Sequence, residues 1–244
     1  MKKLLKWFLA FLGIVACFYL FAFVFGVWGS YEMKKRFDIG YGASTSPRLV
    51  RLEIGDKVFA IPQNHIWSRD RWQDGKVTGV NLQALLPNFE PYTETNKQEF
   101  EKPGWNREIS FLLSEHNIAN SPTGKTSMTR KDVYERIIRS VSQQLKPTKD
   151  FPGPFGLTLK KWIKPSPGDK ELYVGHKKNG DFYWIKCDPD NPKEFPSCST
   201  YIEYSKQVTI HYTFSKQYLS DWKTIDQGVL NLIHQFEINA KQGK

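Results

Sequence analysis

Hydropathy divides the chain into one long apolar run and a series of short, alternating segments. Residues 7–28 read WFLAFLGIVACFYLFAFVFGVW and carry no charge. As a helix this run would be roughly 33 Å long, enough to cross a bilayer core. Trp7 and Trp28 stand at its ends, where tryptophan prefers the headgroup level. The pattern predicts a cytoplasmic tail (1–6), a transmembrane anchor (7–28) and a Gly- and Ser-containing tether (29–47). Two other readings stay open: a cleaved signal peptide, and a lipoprotein signal at Cys17 after Ile14-Val15-Ala16. The length of the run and its lack of a small-x-small site argue against cleavage. The apolar Phe18-Tyr19-Leu20-Phe21 directly after Cys17 argues against lipidation. With the N-terminus in, the expected location is the bacterial inner membrane, single-pass, with the C-terminal domain in the periplasm.

From residue 48 the period changes to two. Residues 48–54 and 57–61 read as strands around a Gly55-Asp56 turn. Residues 80–86 and 108–113 are further strands, separated by an exposed excursion. Thr129 caps a predicted helix over 130–145, with Val133, Ile137, Ile138, Val141 and Leu145 on one face. Residues 147–156, rich in Pro and Gly, read as a linker between a first α+β half (48–146) and a second (157–240). The second half predicts a β-meander: 157–163, a hairpin of 171–176 with 182–186 around Asn179-Gly180, and 200–204 paired with 208–214. Ser215 then caps a helix with Leu219, Trp222, Ile225, Val229, Leu232, Ile233 and Phe236 at helical spacing. Gly228 is a weak point inside it. The expected fold is α+β: a transmembrane helix, then an antiparallel-sheet domain with two amphipathic helices. Each half has strands followed by a helix, which suggests two similar halves, although no residue pattern repeats.

Charge and cysteines narrow the setting. The net charge is +10, with Lys2, Lys3 and Lys6 before the apolar run. The rest is moderately basic, but its Lys/Arg runs are short, so no nucleic acid is expected as partner. Of three cysteines, Cys187 and Cys198 enclose DPDNPKEFPS, a turn-rich loop between strand candidates. Two cysteines so placed predict a disulfide in an oxidising compartment.

Candidate chemistry is sparse. Residues 119–126 (ANSPTGKT) match a relaxed phosphate-loop pattern, but no buried strand leads into them and Pro122 removes an amide, so an ordinary turn is expected. The five histidines fit no metal spacing. Asp188, Asp190 and Glu194 cluster in the cysteine loop and read as solvated charges rather than a calcium site. No catalytic motif is present; the expectation is a protein that is not an enzyme and needs no cofactor. The stretch from Pro62 to Gly79 is rich in Trp and Arg, and Trp67, Arg69, Arg71 and Trp72 are its candidate partner-binding residues. The alternative is an ordered loop whose tryptophans close over the core.

A short basic N-terminus, one span, a disulfide-stapled α+β domain and no catalytic constellation resemble membrane-anchored periplasmic immunity proteins of the type VI secretion kind. Residues 199–236, a two-stranded turn running into a Trp-containing helix, are similar to C-terminal segments of such proteins. The resemblance implies a protein that binds and neutralises a secreted toxin, with the bilayer (through residues 7–28) and that toxin as partners. The alternative is a cell-envelope assembly or ligand-binding protein at the membrane surface.

Overall fold

The period-two segments assemble chiefly into one sheet. The computed structural model describes residues 42–101, 107–116, 129–138, 148–163, 169–176, 180–190 and 195–243, with Tyr19 and Phe21. The first hairpin, β1 (Leu49–Ile54) and β2 (Lys57–Pro62), is joined by the short β3 (Gly75–Lys76) into a sheet of order β2-β1-β3. The remaining strands are β4 (Gly79–Leu85), β5 (Glu108–Glu115), β6 (Thr148–Pro152), β7 (Thr158–Trp162), β8 (Glu171–His176), β9 (Phe182–Cys187), β10 (Ser197–Glu203) and β11 (Val208–Ser215). They form an eight-stranded sheet of order β4-β5-β11-β10-β9-β8-β7-β6. Strands β7 to β11 are the predicted meander, β6 is added at its outer edge, and every ladder in the sheet is antiparallel.

Among the described residues three α-helices pack with these strands: the five-residue α1 (Lys97–Glu101), α2 (Arg130–Ile138) and α3 (Trp222–Gln242). Helix α3 buries Trp222, Ile225, Val229, Ile233 and Phe236, spaced as one stripe. These meet Ile210, Tyr212 and Phe214 of the large sheet and Phe59 and Ile61 of the small one in a single core. Helix α2 packs on the other face of the large sheet, where Val133, Tyr134, Ile137 and Ile138 cover Leu172, Val174 and Trp184. Alternation along β8 and β9 therefore supplies apolar side chains to both faces at this end of the sheet.

Several expectations are corrected here. The protein is mostly β, with one long C-terminal helix, rather than α+β with two amphipathic helices. It is not built from two similar halves: β4 and β5, from the first, bond to β11, from the second, within one sheet. Residues 43–244 are one compact unit. The local period located most strands but not β3 or β6, and it carried no information on which distant strand would pair with which. The stretch read as a linker holds β6 and a 3-10 turn. The expected transmembrane helix, and the single-pass inner-membrane location that rested on it, are not supported by the described residues. Among the described residues no helix is long and apolar enough to cross a membrane, and residues 7–28 lie outside them except for Tyr19 and Phe21. The phosphate-loop-like residues 119–126, Asn179, Glu194 and the end of the predicted helix beyond Ile138 also lie outside.

Cys187 and Cys198 form the expected disulfide, and they are also a cross-strand pair of β9 and β10. The loop they close is further held by Asp188, whose carboxylate accepts from the Ser197 amide at 3.0 Å and hydroxyl at 2.7 Å. Closing a loop of this length restricts the unfolded chain. Replacing both cysteines by alanine should therefore cost about 2.5–3 kcal/mol in urea unfolding, an increment that reductant abolishes in the parent protein. Equal stability of the two proteins under oxidising conditions would show that the bridge contributes nothing.

Candidate functional site

The large sheet is not continuous. Strands β10 and β11 pair over seven residue pairs, but β9 and β10 pair over only two, at Cys198↔Cys187 and Ser199↔Lys186. Beyond the disulfide the strands part. Thr200 Oγ1 donates to the Trp184 carbonyl at 2.5 Å, so a side chain replaces a ladder bond. The rest of the seam is filled by Arg130, the first residue of α2. Its Nε donates to the Tyr201 carbonyl at 2.5 Å, and its Nη2 passes through to Asp226 on α3 at 2.7 Å. The guanidinium lies 4.6 Å from the Tyr183 ring centroid. The Trp184 indole returns a bond to the Arg130 carbonyl at 2.9 Å.

The pair is deeply placed, with side-chain exposures of 12% for Arg130 and 1% for Asp226. Tyr212 donates to Asp226 at 2.8 Å, and the Tyr183 and Tyr212 hydroxyls are 3.0 Å apart. Burial pushes the Tyr212 phenol well up, helped by Tyr183 and Asp226; burial and then Asp226 do the same to Tyr183. Both remain protonated donors at neutral pH. A carboxylate bound by a guanidinium and a phenol is committed to structure.

Two recesses flank this seam. One, of about 320 Å³, lies at its mouth between Arg130, Lys131, Asp181, Glu203 and Leu230. The other, of about 920 Å³, runs beside α3 and is lined by Phe89, Asp181, Lys223, Gln227, Gly228 and Asn231 among the described residues. The glycine read as a weak point explains itself here. A Cβ at Gly228 would stand 2.1 Å from the Phe89 ring, so the helix gives up a side chain to seat that phenylalanine. Along the groove, Gln227 Nε2 donates to Asn231 Oδ1 at 2.9 Å.

The Trp–Arg loop is an ordered structure of two 3-10 turns rather than a free loop. Trp72 is partly buried against the core and donates to the Ile66 carbonyl at 3.4 Å. Arg71 is bound to the Gly79 carbonyl at 3.2 Å and to Asp70 at 3.0 Å. Trp67 is 37% exposed, and exposed Arg69 lies over the Trp72 ring at 5.6 Å. The four predicted residues thus share one loop but divide into outward (Trp67, Arg69) and bracing (Arg71, Trp72) pairs. Sequence alone could not separate two tryptophans five residues apart in an irregular segment.

Other candidates do not converge. His65 is buried against Phe236, and burial lowers its pKa against the opposing Gln83 carbonyl. Asp188 and Asp190 are neutralised by lysine: Lys170 pairs with Asp188, and Lys216 bonds to Asp190 at 2.8 Å and Glu171 at 2.7 Å. Among the described residues no three His, Cys, Asp or Glu side chains gather as metal ligands. The seam residue Arg130 was missed in the sequence, where it reads only as the first position of a helix.

Because the pair is buried, removing one member leaves the other uncompensated. Arg130→Met should cost about 3–5 kcal/mol in urea unfolding, and Arg130→Lys a substantial part of that, since an ammonium cannot bond Tyr201 and Asp226 in the same fork. A loss below about 1 kcal/mol for Arg130→Met would mean that the seam does not depend on this pair.

No protein-family model matches the chain, and no curated protein sequence matches it. Its structure is similar to that of an immunity protein of the Stenotrophomonas maltophilia type IV secretion system, with a TM-score of 0.58 and 15% identity over 78% of this chain and 94% of that one. The resemblance to immunity proteins thus holds at the level of fold, while the expected type VI kind is corrected: the neighbour belongs to a type IV system. What the likeness shows for this chain is an immunity-protein-like fold.

Proposed function

We propose that this protein binds a secreted protein toxin and neutralises it by direct contact. The observation that carries this reading is the shared fold with the Stenotrophomonas maltophilia immunity protein, which spans nearly all of that chain. The physical requirements agree. An inhibitor of this kind needs a rigid body with exposed anchor residues and no chemistry of its own. The disulfide suits an oxidising compartment, where a toxin arriving from a neighbouring cell would be met. For the contact surface we favour the loop bearing Trp67 and Arg69, with Arg71 and Trp72 bracing it from behind. Tryptophan and arginine are the residue types that most often dominate binding energy, and here both are held in place before a partner arrives.

The test is contact-grown co-culture of the native strain with a derivative lacking this protein. The derivative should be killed by its parent and rescued by the full chain supplied in trans. The double variant Trp67→Ala/Arg69→Ala should accumulate normally yet protect poorly. Each truncation should cost about 2 kcal/mol of binding, roughly 30-fold in affinity. Survival of the derivative without the protein would end the immunity reading. Full protection by the double variant would move the contact surface elsewhere.

A further inference from the structure

The far end of the large sheet carries an aromatic hairpin that the fold does not use. Strands β6 and β7 are joined by Gly153-Pro154-Phe155-Gly156, and this turn is rigid. Gly153 N donates to the Leu157 carbonyl at 2.9 Å, and Leu157 N to the Pro154 carbonyl at 3.0 Å. A Cβ at Gly153 would stand 2.6 Å from the Leu157 carbonyl oxygen, so only glycine fits. Leu157 is buried, and the Trp222 indole of α3 donates to the Phe155 carbonyl at 3.3 Å. The turn is therefore pinned to the core on both sides of Phe155.

Within this pinned turn Phe155 has φ of 58°, the left-handed region that non-glycine residues rarely occupy. The residue is nevertheless 54% exposed. A large aromatic held in an unfavourable backbone conformation, with its ring turned to solvent, contributes little to the core that holds it. Conformations of this kind persist where surrounding structure over-determines them, and they collect at binding sites. Phe151, in β6, is also exposed, and two lysines flank it, Lys149 and Lys161, each with Nζ 5.5 Å from the ring centroid. Among the described residues neither lysine makes an ion pair. The carboxylate of this hairpin, Asp150, is taken by Lys160 at 2.7 Å. Glu171, on the neighbouring β8, is taken by Lys216 and Tyr173. The Lys149–Phe151–Lys161 cluster is thus apolar and positively charged, with no carboxylate of its own.

We propose that this hairpin is a second docking element for the toxin: Phe155 and Phe151 enter an apolar pocket of the toxin whose rim carries carboxylates that meet Lys149 and Lys161. The proposal rests on the toxin-binding reading but not on the Trp67 surface, which adjoins β4 at the other end of the sheet. Strands β4 and β6 are the two edges of the sheet, so the two contacts engage different parts of the toxin. A protein pocket is favoured over a lipid surface because the ring is aimed by a fixed backbone. Preorganisation of a single direction favours insertion into a shaped pocket, whereas insertion into a bilayer interface does not need it. It is favoured over a second copy of this chain because the unpaired lysines ask for an acidic partner, and this chain is itself basic.

Phe155→Gly is the decisive variant, since glycine accepts the left-handed conformation without strain. In the full chain its unfolding midpoint should be equal to or above that of the parent. In the co-culture assay, protection by the full-length variant against the parent strain should fall at least about tenfold. Lys149→Glu/Lys161→Glu should fail likewise, and Lys149→Arg/Lys161→Arg should protect. Full protection by both the glycine and the glutamate variants, against a parent strain that kills unprotected cells, would overturn the hairpin proposal and leave the toxin reading standing. Absence of killing would remove both. Loss of self-association in sedimentation, or of binding to anionic vesicles, on Phe155→Gly would overturn the proposal in favour of a second copy or a lipid surface.

Discussion

The ion pair of Arg130 with Asp226 is the constraint on which the layered arrangement depends. One residue begins a helix on one face of the sheet, and the other sits in the helix packed on the opposite face. They meet because β9 and β10 part after two residue pairs. A gap in a sheet exposes backbone groups that must find partners. Here Arg130 takes the Tyr201 carbonyl and Thr200 takes the Trp184 carbonyl. Buried ion pairs add little net stability over an apolar replacement, yet are costly to break singly. The role of this one is therefore to fix geometry: it sets where α2 starts, where α3 crosses, and how far the seam opens.

The same logic places the disulfide. It lies at the paired end of the seam, so a covalent link holds the strands together just before they separate. At the far end of α3, Glu237 ties the small sheet to the helix and to the β10–β11 turn through Lys57 at 3.2 Å, Tyr204 at 2.7 Å and Lys241 at 2.9 Å. Burial opposes its charge, but these bonds outweigh burial and pull its carboxyl down to about 2. Helix α3 is thus fastened by polar contacts near both ends and by an apolar stripe between them. Such a body can present loops and turns in fixed positions, which is what recognition of another protein asks of it.

Much of this was legible in the sequence where the signal is local. The Gly55-Asp56 turn, the β8–β9 and β10–β11 hairpins, the stripe of α3 and the cysteine pair follow from period, turn chemistry and spacing. What was not legible is non-local. Nothing in β4 or β5 announces that they join β11, and that pairing is what makes the fold one sheet rather than two α+β halves. Arg130 carries no sign that its partner lies 96 residues away. Gly228 reads as a defect until Phe89 is seen against it, and Phe155 reads as part of a linker until its backbone is seen to be held. The candidate Trp–Arg loop was found by composition, but which side chains face outward depends on contacts to Gly79 and Ile66 that composition does not encode.

Function enters through the fold and the surface, since the seam and its tyrosines are occupied with structure. The proposed role is that of a rigid binder of a protein toxin. Calorimetric titration of the full chain against the purified effector with which the native strain kills unprotected siblings tests this most directly. The expected result is saturable one-to-one binding, with Kd on the order of nanomolar and a negative heat-capacity change from buried apolar surface. Absence of binding at tens of micromolar, on the order of the weakest transient contacts, would contradict it.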